Sequence, residues 1–279
     1  LPFPIYQGAL AETEVALLLT GSGRSRAALA VATWLSHRLR DLGLSSSAGL
    51  HAPPLLVANF GTAGAQGREV GETLLVARVR EALGESYYPE RLVPWKGDEV
   101  ECRTVATPQR EALTEERDCR ALYDMEAFGV AEATATFLST SHLVIGKCVS
   151  DQIGVDDTLN WQALASRCEI PYREGALRFL EHAREHLSAL LQDSRRLAAE
   201  RISAAVERLL QAARQSMPLT VTQERELAQH LKSRLARCES PDEIEGVAVW
   251  WRSKLPAHAV LDKATAKKAL ARLLSELTS

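Results

Sequence analysis

The chain changes character once along its length, and that change limits the folds open to it. No Gly or Pro occurs from Ala176 to Met217, where Leu, Ala, Arg and Glu dominate. Before Gly175 the apolar residues come in short runs that close in Gly, Pro or Asp, alternating with amphipathic stretches. Runs of that length suit buried strands, and an uninterrupted 3.6-residue periodicity suits helix. The sequence therefore predicts an α/β domain over 1–174, with a central mixed sheet flanked by helices, and an α-helical C-terminal region over 175–279.

Within the first region Val15–Leu19 predicts a buried strand that closes in a glycine turn at Gly21–Gly23. Arg26–Arg40 predicts a helix, with basic residues at its C-terminal end where they complement the helix dipole. Leu55–Asn59 predicts a second buried strand, running into Gly61-Thr62-Ala63-Gly64. Further strands are expected over Glu72–Val79, Val100–Thr107 and Leu143–Val149, and a helix over Ala127–Leu138. In the second region Leu177, Leu180, Leu187, Leu190 and Leu191 recur at helical spacing, as do Leu197, Ile202, Val206, Leu209 and Leu210. Shorter helices are expected over Thr222–Arg237, Pro241–Arg252 (with Ser240 as N-cap) and Thr265–Leu277.

Charge gives little guidance to a partner. The first 173 residues hold 16 Lys and Arg against 22 Asp and Glu, a net −6, and the remainder holds 17 against 14, a net +3. A chain of net charge −3 gives no electrostatic argument for nucleic-acid binding. No apolar run approaches the roughly 20 residues of a membrane helix. Five cysteines with no C-x-x-C pair point to buried thiols in a reducing, cytoplasmic setting.

In an open α/β sheet, ligands collect at the carboxyl ends of the strands. Four such ends are small or acidic: the turn at Gly21–Gly23, the Gly61–Gly64 segment, Asp124-Met125-Glu126 and Ser150-Asp151. A carboxylate at a buried strand end is costly unless it is paired or functional, which singles out Glu126 and Asp151. The alternative is that these residues cap neighbouring helices. From residue types alone the two readings stand level.

Taken in order, Gly61-Thr62-Ala63-Gly64 after an apolar strand, Asp124-Met125-Glu126-Ala127 opening a helix and Val149-Ser150-Asp151 ending a strand resemble the nucleoside phosphorylase-I superfamily. Within it the pattern is most similar to the methylthioadenosine/S-adenosylhomocysteine nucleosidase branch. Ile5–Gly8, Thr13–Leu18 and Gly21–Gly23 continue that resemblance upstream. It covers about Ile5 to Asp151, with gaps between Glu85 and Leu122.

The resemblance implies an enzyme that cleaves the N-glycosidic bond of a purine nucleoside, without a cofactor and as a homo-oligomer. Glu126 would accept hydrogen bonds from the ribose 2′- and 3′-hydroxyls, with the Met125 backbone beside it. Asp151 would handle a proton at purine N7, oriented by Ser150. Gly61, Thr62, Ala63 and Gly64 would line the path of the nucleophile. The related phosphorylases place an arginine just before the glycine segment, where this chain has Asn59 and Phe60. Water is thus favoured over phosphate as co-substrate, with Arg24 or Arg26 the candidates if phosphate is used after all. The resemblance also puts a water-activating acid on a strand preceding the part that matches here. The segment Ser86–Asp118 departs from the family pattern, and Thr107-Pro108 is a loose candidate for the base wall.

Other motifs carry less. His182-x-x-Glu185-His186 fits a zinc-peptidase pattern but has no third ligand downstream, so a solvated helix face is expected. Gly21-Ser22-Gly23 lacks the third glycine of a dinucleotide fingerprint. Trp250-Trp251 is expected in a core or interface.

Overall fold

The computed structural model describes residues 3–42, 54–81, 84–115, 120–155, 161–238, 241–255, 265 and 267–272. These fall into two compact units, one reaching to Leu190 and one starting at Leu191.

The first unit opens with a hairpin of β1 (Ile5–Leu10) and β2 (Thr13–Leu18), followed by α1 (Arg24–Asp41). Then come β3 (Val57–Ala65), β4 (Thr73–Glu81), the short β5 (Ser86–Tyr87), β6 (Glu99–Thr104) and β7 (Leu122–Asp124). Helix α2 (Ala127–Phe137) and strand β8 (Leu143–Gln152) follow, and then the long helix α3 (Trp161–Ser216). The six-stranded sheet runs β5-β4-β6-β7-β3-β8 and mixes parallel with antiparallel pairs. It is not open: β4 also pairs antiparallel with β8, so β4, β6, β7, β3 and β8 form a closed ring. Closure removes the two long edges that an open sheet would expose.

Three sequence expectations change here. The Val15–Leu19 run is not a buried strand of the sheet. It forms β2, which pairs only with β1, and Leu17 and Leu19 stay 55% and 47% exposed. Gly61–Gly64 does not follow the end of its strand. It lies inside β3, with a register shift between Ala63 and Gly64, because parallel pairing with β8 continues past it. A strand seldom tolerates two glycines unless something approaches closely, and both are approached here. Strand β8 likewise continues through Asp151 to Gln152.

The main core joins α1 (Ala27, Val31, Leu35, Leu39) and α2 (Ala127, Phe128, Ala131) to the sheet residues Ala63, Leu74, Val79, Cys102, Ile145 and Val149. The two helices approach so closely that a Cβ on Gly129 would lie 2.2 Å from the Arg24 carbonyl oxygen. A second cluster gathers Leu75, Val144 and Phe179, with Phe60 beside it. Phe179 belongs to α3 and lies against Gly146, where a Cβ would come within 2.5 Å of its ring. Helix therefore begins at Trp161, ahead of Gly175, and the stretch from Cys168 to Leu190 belongs to the α/β unit.

The second unit contains the rest of α3, then α4 (Val221–Leu235) and α5 (Pro241–Lys254). Its core is Val206, Leu209, Leu210, Met217, Leu227, Leu231, Leu235, Ile244, Trp251 and Leu270. The expected helix over Thr265–Leu277 is described only for Thr265 and for 267–272, which are helical. Ser240, the expected cap of α5, lies outside the described residues.

Candidate functional site

A cavity of about 560 Å³ lies in the α/β unit, within the size range of small-molecule sites. The eight residues to which the resemblance gives catalytic or substrate-binding roles all line it: Gly61, Thr62, Ala63, Gly64, Met125, Glu126, Ser150 and Asp151. Strand β3 brings the first four, the start of α2 the next two and the end of β8 the last two.

Each acid is held differently. Asp151 Oδ1 accepts a 2.6 Å hydrogen bond from the Ser150 hydroxyl, which also lies 3.3 Å from the Ala63 carbonyl. A Cβ on Gly64 would sit 2.9 Å from Asp151 Oδ2, so any larger residue there would displace the carboxylate. Glu126 Oε1 accepts from the Gly23 N–H at 2.7 Å and from the Ser22 hydroxyl at 3.1 Å. Oε2 makes no hydrogen bond among the described residues.

The capping alternative resolves in favour of a neighbour. Glu126 is the N-cap residue of α2, yet its side chain makes no cap bond. Asp124 makes it instead, accepting from the Ala127 N–H at 2.7 Å. The same carboxylate accepts from the Thr104 hydroxyl at 2.7 Å and pairs with Lys147 Nζ at 2.7 Å. Both members of this ion pair are buried, with side chains 0% and 1% exposed. Burial by itself would raise the Asp124 carboxyl, but Lys147 and the hydrogen bonds from Thr104 and Ala127 together hold it below the usual carboxylate range. Burial, the largest single influence, would likewise lower Lys147, but the charge and hydrogen bond of Asp124 with the nearby Cys102 and Glu126 together leave the ammonium raised above its usual value.

Asp124, named in the sequence only as part of a strand end, lines the cavity together with Lys147 and Tyr172, which sequence reasoning did not single out. Lys147 left a signal, since a lysine within the apolar run Leu143–Val149 must find a buried partner. A Cβ on Gly61 would come 3.3 Å from its Nζ, which explains the second strand glycine. Tyr172 left none: it arrives on α3 and packs on Phe60, with ring centroids 5.0 Å apart. Asn59 also lines the cavity, and its buried Oδ1 has no hydrogen-bond partner among the described residues. Pro108 lines it with Val105 and Gln109, whereas Thr107 does not.

The candidate phosphate arginines are occupied or peripheral. Arg24 pairs with Glu81 and with Glu132 (3.1 Å) and lies 4.6 Å from the Phe128 ring centroid. Arg26 is exposed, its guanidinium against Gly21. The H-x-x-E-H pair is not on a solvated face either. His182 and His186 are 7% and 1% exposed, and no group of three metal-ligating side chains occurs among the described residues. Packing explains both: His182 meets the Trp95 ring edge-on, and His186 Nε2–H donates to the Ser141 carbonyl at 2.8 Å.

No protein-family model and no curated protein matches the chain. Solved structures of similar arrangement include a 5′-methylthioadenosine/S-adenosylhomocysteine nucleosidase from Colwellia psychrerythraea in complex with adenine. It is 18% identical with a TM-score of 0.49, over 65% of this chain and 83% of that one. The corresponding nucleosidase from Neisseria meningitidis, in complex with methylthio-immucillin-A, is 17% identical with a TM-score of 0.42, over 69% and 87%. Futalosine hydrolase of Helicobacter pylori is 11% identical with a TM-score of 0.45, over 64% and 84%.

Proposed function

We propose that this chain is a purine-nucleoside N-glycosidase that uses water, acting on a methylthioadenosine-like nucleoside as a homo-oligomer. The observation that carries the reading is the convergence of Glu126, Ser150-Asp151 and the Gly61–Gly64 segment on one cavity, in the order of the superfamily motifs.

Breaking the C1′–N9 bond leaves positive charge on the sugar and sends the bonding electrons into the base. Asp151 delivers a proton to N7 as that charge builds, its carboxyl oriented by Ser150. Glu126 Oε2 takes the ribose hydroxyls, and its negative charge favours the cationic transition state. The water oxygen then bonds to C1′ and loses a proton, and Asp151 regains one, so the turnover balances.

Water is preferred to phosphate on charge. Among the described residues, Lys147 is the one cation lining the cavity, and Asp124 already neutralises it. A phosphate dianion placed there would meet Asp124 and Glu126 with no net positive charge to hold it. Incubation with a nucleoside panel, with and without phosphate, tests the reading. Free base and free ribose without phosphate support it. Ribose 1-phosphate formed only with phosphate makes it a phosphorylase, and binding without turnover makes it a nucleoside-binding protein.

A further inference from the structure

The turn Gly21-Ser22-Gly23 precedes α1, and Ser22 lies 104 positions before Glu126 in sequence, yet the turn holds that residue's carboxylate. Its geometry is built for the task. Gly21 has φ +73° and Gly23 φ +100°, a backbone that side-chain-bearing residues rarely adopt. At Gly21 a Cβ would also press on the Arg26 guanidinium at 3.3 Å. The turn directs the Gly23 N–H and the Ser22 hydroxyl to the same oxygen, Glu126 Oε1. Helix α1 fixes the turn from the other side, since Gly23 is its N-cap and the Gly23 carbonyl accepts from the Ala27 N–H at 3.1 Å.

The consequence is asymmetric. One carboxylate oxygen is taken by two donors, and the other makes no hydrogen bond among the described residues. A free glutamate side chain has three rotatable bonds and presents its oxygens in many directions. Once Oε1 is pinned, Oε2 is held in one orientation before any ligand arrives. Pre-orientation of this kind removes an ordering cost from binding and from the transition state.

We infer that Ser22 is a positioning residue that, with the Gly23 N–H, clamps Glu126 Oε1 so that Oε2 faces a vicinal diol, making the site selective for ribo- over dideoxyribonucleosides. This rests on the nucleosidase reading above, in which Glu126 takes the ribose hydroxyls, and adds the residue that orients it. Because Ser22 is exposed and carries no core packing, its replacement tests the clamp without endangering the fold.

The experiment measures kcat/KM and Kd for 5′-methylthioadenosine and adenosine, each beside its 2′,3′-dideoxy counterpart, with wild type, Ser22→Ala and Ser22→Thr. The Ser22 hydrogen bond is exposed, so water replaces part of it, and Ser22→Ala should lower kcat/KM on the ribonucleosides about 3- to 10-fold. The dideoxy compounds should change by less than about 2-fold, and Ser22→Thr, which keeps the hydroxyl, should recover most of the loss. An equal fall on both sugar types would mean a merely structural serine and overturn the inference. So would an unchanged ribose preference, or a gain on ribonucleosides, which would make the turn a competitor for Glu126. A wild type that neither binds nor cleaves any of the four compounds would overturn the nucleosidase reading and the clamp together.

Discussion

The two compact units bury different chemistry. In the α/β unit the buried set includes Thr104, Asp124, Lys147, Ser150 and three histidines, His142, His182 and His186. From Leu191 onward every buried residue among those described is hydrophobic, and the Trp251 indole N–H, which donates to the Leu209 carbonyl at 3.1 Å, is a polar exception within that core. A buried polar group stabilises little even when fully paired and costs heavily when a partner is lost. The helical unit is thus assembled the way stability alone would dictate. The α/β unit carries polar groups that stability does not require, and they concentrate around the cavity and along α3.

The largest expected effect falls on chemistry and leaves the fold alone. Asp151→Asn keeps the size of the side chain and the Ser150 contact but cannot deliver a proton. Turnover should fall about 10²- to 10⁴-fold, with an unchanged circular dichroism spectrum and melting temperature. Near-normal rates would remove Asp151 from the mechanism and erase the main functional contrast between the units.

Next comes the buried ion pair. Lys147→Met leaves Asp124 charged, buried and short of its partner, while its own bonds from Thr104 and Ala127 persist. The α/β unit should lose about 3–5 kcal/mol. Hydrogen exchange read separately over the two units should show the loss in β3, β7 and β8, with α4 and α5 unmoved. Adding Asp124→Asn should return part of the stability, since a neutral amide tolerates burial better than an unpaired carboxylate.

A fall in pH should separate the units again. Burial pushes His142, His182 and His186 below the ordinary histidine value of 6.5. The carbonyl acceptors at Leu55 and Ser141, and Glu185, Glu99 and Glu90 nearby, offset this only in part. A base whose folded pKa is depressed binds more protons when unfolded. Its stabilisation is therefore complete above about pH 6.5 and is lost as pH falls from there through the folded value. Hydrogen exchange at pH 7.5 and at pH 5.5 should show loosening where α3 packs on β8 and the turn Thr140–His142. Equal loosening in α4 would attribute the effect to general acid swelling.

What the sequence made legible follows the same divide. Periodicity located α1, α2, α4 and α5 and most strands to within a few residues, because the apolar positions face a core and repeat accordingly. The cavity residues from Gly61 to Asp151 were legible because they are small or acidic where a strand favours neither. The closure of the sheet was not, since the β4–β8 pairing joins segments far apart in sequence and leaves no local pattern. Tyr172 escaped for a related reason: on a helix an aromatic residue facing a cavity has the same spacing as one facing a core. His182 and His186 read as surface residues in the sequence because charged neighbours such as Glu181, Arg184 and Glu185 occupy the other side of the same turns.

The smallest effect lies in the helical unit and tests whether its order is local. Thr220 caps α4 through a capping box that the sequence reading did not mark. Its hydroxyl accepts from the Gln223 N–H at 3.3 Å, and Gln223 Oε1 accepts in turn from the Thr220 N–H at 2.9 Å. Both groups are exposed, so water replaces part of what is lost on substitution. Thr220→Ala should therefore cost only about 0.5–1 kcal/mol, at the low end of N-cap substitutions. Exchange should quicken in the first turn of α4, while Leu227, Leu231 and Leu235 keep their protection because the core holds them. Loss of protection at Leu231, or any change in nucleoside cleavage, would mean that this unit is tied to the α/β unit more tightly than its all-apolar core implies.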